Sequence, residues 1–143
     1  MRLSPLVLRY HVVSEPPPLL VTAANDRLYE HTCAELFLRG RGPRYEEFNF
    51  SPDRRVSHFA FSAYREPEIL PSEFAVEVEC MANAELVIHA RGEFGDRFEN
   101  ARWWPTFVLE TREGKSYWAP SHAPGPPDFH RGICSEDGLQ LQT

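Results

Sequence analysis

The stretch YEEFNFSPDRRVSHFAFSA, residues 45–63, decides the fold class. Phe48 and Phe50 alternate with Glu47, Asn49 and Ser51, and Phe59, Phe61 and Ala63 alternate with His58, Ala60 and Ser62. Side chains that change face at every residue belong to a strand, and an apolar set at period two predicts burial of one face. Between the two runs, Ser51-Pro52-Asp53 is a turn opener: proline presets φ, and the short polar side chains hydrogen-bond the local backbone. Strands are therefore predicted over 45–51 and 56–63.

The same period extends in both directions. Leu6, Leu8, Tyr10 and Val12 share a face opposite Val7, Arg9, His11 and Val13, and Phe74, Val76, Val78 and Cys80 lie opposite Ala75, Glu77, Glu79 and Met81. Leu139 and Leu141 alternate with Gln140 and Gln142. Further strands are expected near 6–13, 33–39, 74–81, 85–91, 102–110, 115–119 and 138–142, making about nine short ones. Gly40-Arg41-Gly42-Pro43 and Glu113-Gly114 supply turns. Loops are expected over 14–26, around Pro16-Pro17-Pro18, and over 120–135, around Pro124-Gly125-Pro126-Pro127. A helical turn is conceivable only within 26–36, because no window keeps an amphipathic stripe of helical length. Short strands without intervening helices predict an all-β antiparallel sandwich, immunoglobulin-like or jelly-roll-like. The 143 residues fit one domain, 1–143.

Composition narrows the function. The net charge of -6 argues against a nucleic-acid binder, which needs a basic patch, and against adsorption to anionic lipid. Arg9 and His11 interrupt the first apolar run, so it does not read as a signal peptide, and no stretch reaches membrane-spanning length. Cys33, Cys80 and Cys134 are odd in number and widely spaced, which favours reduced thiols and a cytoplasmic setting.

Three blocks carry a family resemblance: Leu28 to Leu38, Tyr45 to Pro52 followed by Tyr64-Arg65, and Ser116-Tyr117-Trp118-Ala119 running to Pro127-Asp128-Phe129-His130. In order and spacing the chain resembles the bacterial DOMON-like domains. These belong to the superfamily that includes family 9 carbohydrate-binding modules and haem-binding cytochrome domains. The resemblance implies a two-sheet sandwich with ligands on one sheet or at one end, and no catalytic chemistry. Three features depart from it. The first strand begins almost at Met1, which would leave an open edge. Tyr29 stands where tryptophan is common, and Ala34 where an aromatic is common. The approach to the last strand, Arg131 to Glu136, is long.

Sugar binding needs flat aromatic faces and planar polar groups. Trp103, Trp104, Tyr117 and Trp118 are candidate platforms, with Tyr29 beside them. Glu30, Glu35, Glu47, Asn49 and Asp128 are the polar candidates. The competing reading is that the aromatics are core packing and that Glu35 is either paired with an arginine or solvated. In a strand, Trp103 and Trp104 must point to opposite faces, so at least one is expected in the core. His122, His130 and Cys134 form the alternative metal set, and Met81 the alternative haem ligand. Loop histidines, a buried thiol and a core methionine are the plainer readings, and no cofactor is expected. Carboxylate pairs such as Glu46-Glu47 and Glu77/Glu79 are available to a glycosidase, but two strand carboxylates two apart on one face are expected to be solvated, and nothing marks one as a raised-pKa acid. No nucleophile motif or phosphate loop is present.

The expectation is therefore a non-catalytic module for a small ligand, a saccharide or cell-wall fragment, acting as a monomer or as a homodimer through an edge strand. A protein-interaction or structural sandwich and a haem- or metal-binding carrier are the alternatives.

Overall fold

The computed structural model describes residues 6–21, 23–69, 75–82, 85–93, 100–135 and 139–140. Two antiparallel sheets hold ten strands among these residues. The smaller sheet is ordered β1-β7-β6, from β1 (Leu6–Val13), β6 (Ala75–Ala82) and β7 (Glu85–Glu93). The larger sheet runs β10-β8-β2-β3-β4-β5, with β9 also paired to β8. Its strands are β2 (Cys33–Arg39), β3 (Tyr45–Phe50), β4 (Val56–Ala63), β5 (Glu66–Glu68), β8 (Arg102–Thr111), β9 (Gly114–Trp118) and β10 (Leu139–Gln140). The all-β sandwich architecture predicted from the alternation is what the chain adopts.

The core between the sheets follows the period-two pattern. Ala34, Leu36 and Leu38 of β2, Phe48 and Phe50 of β3, and Phe107 and Leu109 of β8 meet Leu8 of β1 and Leu86, Ile88 and Ala90 of β7. Each fully buried large side chain contributes about 1.5–3 kcal/mol of transfer free energy, so this layer holds the sandwich together. Tyr10 bridges the sheets: its ring lies 6.0 Å from that of Phe107, and its hydroxyl donates to the Glu35 carbonyl at 2.5 Å.

Pro105 sits inside β8, opposite Leu36. On the far edge of β8, β10 pairs with Arg102 and Trp103, while β9 pairs with residues 107–111. The proline, which has no N–H for a ladder, thus falls in the gap between two partner strands.

One expectation fails in an informative way. β2 and β3 are buried on both faces, not on one. The outer face of the larger sheet is covered by α1 (Phe129–Cys134), within a segment expected to be a loop. Phe129 and Ile133 pack onto Phe37, Tyr45, Phe61, Trp104 and Val108. Gly132 makes that approach possible, because a Cβ there would lie 2.1 Å from Cε2 and Nε1 of Trp104. Arg39 donates to the carbonyls of Ile133 (3.3 Å) and Cys134 (3.1 Å), and Arg102 to that of Ser135 (3.1 Å). Two arginines at strand ends thereby satisfy the carbonyls that a helix terminus leaves open. The short β5 was also unanticipated. It follows the turn at Arg65, which takes φ 54°, and pairs with β4 across a bulge.

Candidate functional site

The register of the larger sheet lays polar side chains in a row across four strands. Thr106 of β8 stands opposite Glu35 of β2, Glu35 opposite Asn49 of β3, and Asn49 opposite Ser57 of β4. The next row is Trp104, Phe37, Glu47 and Phe59. Because the period is two, all of these lie on the outer face, away from the Phe48–Phe50 layer.

A cleft of about 780 Å³ opens over this face. Glu35 and Glu47 line its depth, at 3% and 5% exposure. Tyr29, Phe59, Phe61, Tyr117 and Phe129 supply aromatic walls. Tyr29 meets Phe59 edge-on at 6.1 Å, and Tyr117 meets Phe129 likewise at 6.1 Å. Asp128, Arg65 and Tyr64 tie the approach to α1 to the β4–β5 turn. The Asp128 carboxylate accepts from Arg65 at 3.0 Å and from the Tyr64 hydroxyl. Burial raises the Asp128 carboxyl pKa, but the hydrogen bonds from Tyr64 and Arg65 outweigh that and hold it below its ordinary value.

The floor contains little compensation for its acids. Thr106 Oγ1 donates to Glu35 Oε2 at 3.2 Å, and Asn49 Nδ2 to Glu47 Oε1 at 2.9 Å. Burial, reinforced by the neighbouring Glu47, pushes Glu35 well above the usual carboxylate range. Burial pushes Glu47 up to about 7, against the opposing effects of Asn49 and Arg65. Asn49 Oδ1 and Ser57 Oγ are buried with no hydrogen-bond partner among the described residues. Such groups are uncommon in folded proteins, because losing water without replacement costs about 1–3 kcal/mol each.

His130 reaches the same floor from α1. The Tyr45 hydroxyl accepts the Arg65 amide N–H at 3.1 Å and shares a hydrogen bond of 2.7 Å with His130 Nδ1. Burial, then the Arg65 charge, lowers His130 to about 4. Its Nε2 stands 3.7 Å from Glu47, too far for a hydrogen bond. At neutral pH these two groups therefore do not form an ion pair.

Five of the residues singled out in the sequence converge here: Tyr29, Glu35, Tyr117 and Asp128 line the cleft, and Asn49 sits in its polar row. Glu30 instead pairs with Arg27 at 2.8 Å on the surface. Trp103 packs into the inter-sheet core and Trp104 lies beneath α1. Trp118, on the opposite face of β9 from Tyr117, is 61% exposed, with Nε1 donating to Ser116 Oγ at 2.9 Å. None of the three tryptophans is a cleft platform; the phenylalanines take that place. Glu46 and Glu47 are both buried, on opposite faces of β3: Glu46 against His58 at 2.7 Å, Glu47 in the depth of the cleft. Glu35 is neither solvated nor paired with arginine.

The alternative metal set is dispersed in role. His122 tilts against Phe129, Cys134 joins the apolar layer under α1, and His130 is engaged by Tyr45. Burial raises the pKa of the Cys134 thiol, which opposes the thiolate a metal requires. No group of three or more candidate metal ligands occurs among the described residues. The Met81 side chain lies outside the described residues. No helix among them is long and apolar enough to cross a membrane.

Glu47, named as a polar candidate, also lines the cleft. Phe59, Phe61, Thr106 and Ser57 were missed as site residues. The signal was available for two of them, because Phe59 and Phe61 share a strand face by simple alternation. Comparison with known protein families, curated proteins and solved structures finds no match.

Proposed function

We propose that the chain is a non-catalytic module that holds one small organic ligand in the outer-face cleft, with a saccharide-like molecule as the leading class. The observation that carries this reading is the floor. Two desolvated carboxyls, Glu35 and Glu47, line the depth of the cleft beneath aromatic walls, and beside them in the sheet register Asn49 Oδ1 and Ser57 Oγ are buried with no partner among the described residues. Aromatic faces suit the C–H face of a ring-shaped ligand, and planar polar groups suit its hydroxyls. The resemblance to DOMON-like domains points the same way, since that family is expected to carry ligands on one sheet. The cleft volume lies within the range of small-molecule sites.

The test is a titration of the protein with a panel of mono- and disaccharides, followed by amide chemical shifts. Saturable shifts at Glu35, Asn49 and Phe59 that vanish in Asn49→Leu and weaken in Tyr117→Ala support the reading. Shifts confined to other faces, or none, overturn it. Recovery of the bound compound unchanged supports the absence of catalysis, and its hydrolysis overturns that part.

A second reading rests on β1. Among the described residues this strand pairs only with β7, and Val7 and Val13 are 51% and 70% exposed. An open apolar edge can add a strand from another chain. Sedimentation that shows a dimer dissociated by Val7→Lys would support a homodimeric arrangement, and a monomer at high concentration would remove it.

A further inference from the structure

Resting on the reading that the cleft holds a ligand, we propose that the ligand's polar end is a protonated amine seated against Glu35 and Glu47. The cleft then selects organic cations over neutral molecules of the same shape. The argument is a count of donors and acceptors. Glu35 of β2 and Glu47 of β3 line the cleft, and Asn49 of β3, Ser57 of β4 and Thr106 of β8 lie beside them in the sheet register without lining it. The Thr106 hydroxyl is spent on Glu35, and the Asn49 amino group on Glu47. Among the described residues, Asn49 Oδ1 is then a buried acceptor with no donor, beside two acids that have accepted one side-chain bond each; the unpartnered donor Trp104 Nε1 lies beneath α1, outside the cleft lining.

The wall adds to the surplus. Glu68 of β5 lines the cleft, and its Oε1 is buried with no hydrogen-bond partner among the described residues. Its other oxygen is 3.3 Å from Arg44.

The positive groups that face this floor do not cancel it. Arg65, from the β4–β5 turn, is held at the rim by Asp128 at 3.0 Å, with its side chain 54% exposed. His130 is neutral and engaged by Tyr45 at 2.7 Å. Tyr45 itself, pushed up to about 12 by burial, remains a phenol. An ammonium group brings three donors and no acceptor, which is the complement of this floor. A hydroxyl brings acceptor lone pairs that find few donors here. Aromatic faces above the site attract a cation further. An amino sugar meets both this requirement and the class proposed above.

The experiment uses matched amine and alcohol pairs on the intact chain: glucosamine with glucose, benzylamine with benzyl alcohol, and cyclohexylamine with cyclohexanol. Ligand-observed NMR gives Kd at about pH 8 and about pH 5. The expected result is amine binding at least about tenfold tighter than its alcohol at pH 8, the factor that one charge-assisted hydrogen bond supplies. The preference should shrink at pH 5, where both acids are protonated, and collapse in Glu35→Gln/Glu47→Gln. Either single variant serves if the double variant loses its fold by circular dichroism. Calorimetry in buffers of different ionisation enthalpy should show proton release on amine binding at pH 7. Equal binding within pairs, or a preference that survives the glutamine variants, overturns the inference and leaves the cleft reading standing. Silence from every pair overturns the inference, and silence from the saccharide panel as well overturns both.

Discussion

Replacing Glu47 with Gln isolates the cost of the buried acid from the rest of the fold. Burial lifts Glu47 from an ordinary 4.5 to about 7. Between those values the folded chain holds a proton that the unfolded chain has released. Stability must therefore fall as pH rises through this window, with the full loss reached above pH 7. A shift of that size corresponds to roughly 3 kcal/mol, at 1.36 kcal/mol per pKa unit. His130 acts in the opposite sense. Its folded value of about 4 lies below the ordinary 6.5, so the unfolded chain holds the extra proton and stability rises over that interval. Glu35, also raised by burial, acts in the same sense as Glu47, so a wild-type profile alone isolates none of the three.

The difference between Glu47→Gln and the parent removes His130 from the comparison. Gln keeps the shape and retains an oxygen for the Asn49 amide, so the two proteins should have nearly equal stability at about pH 5. By about pH 8 the variant should be more stable by roughly 2–3 kcal/mol, which at a typical urea m-value is a midpoint gap of about 1–2 M. Urea denaturation followed by circular dichroism at both pH values is the assay. A gap of the same size at pH 5 and pH 8, or a variant less stable at pH 8, would refute the assignment of Glu47 as a desolvated acid.

Other perturbations probe separate links. Gly132→Ala drives a methyl into the Trp104 indole and should cost at least about 1–3 kcal/mol, read by urea denaturation and by loss of the near-ultraviolet tryptophan signal, whereas exposed Arg131→Ala should change little. Tyr10→Phe removes the hydroxyl that bonds the Glu35 carbonyl across the sandwich and should cost about 1–2 kcal/mol in the same assay. Asp128→Asn should loosen the strap from α1 to the β4–β5 turn and speed amide exchange around Phe129–Ile133, while β7 amides stay protected.

Strands were legible in this sequence because their signal is local. The alternation over residues 45–63 places β3 and β4 to within a residue, and the same reading locates β1, β2, β7, β8 and β9. β5 was not legible because three residues that include Pro67 carry no period. α1 was not legible because its six residues, with Gly132 inside, have no intrinsic reason to be helical. Its stability comes from distant partners: the Trp104 face, and the guanidinium groups of Arg39 and Arg102.

That dependence on distant partners explains which site residues were found and which were not. A glutamate in an alternating strand reads as solvent-facing when the other face is apolar, and by that rule Glu47 belongs in water. The rule assumes a sheet covered on one side. Here α1 and the aromatic side chains from β4 and β9 cover the second side, and the polar row of β2, β3 and β8 becomes a floor. Glu35 was noticed because it interrupts an apolar run, and Asn49 because asparagine is unusual in a strand; each is locally anomalous. Glu47 was named with them as a polar candidate, but its burial was not legible, because that depends on Phe129 and His130 of α1 lying over the same face. The tryptophans illustrate the converse. Their size marks them as platforms, yet a sheet covered on both sides has a core on each face, and it buried Trp103 in one and Trp104 in the other. The cleft lies where the second covering layer is incomplete, between α1 and the β4–β5 edge. The position of α1 therefore decides whether Glu35 and Glu47 act as a ligand floor or stay closed within the core.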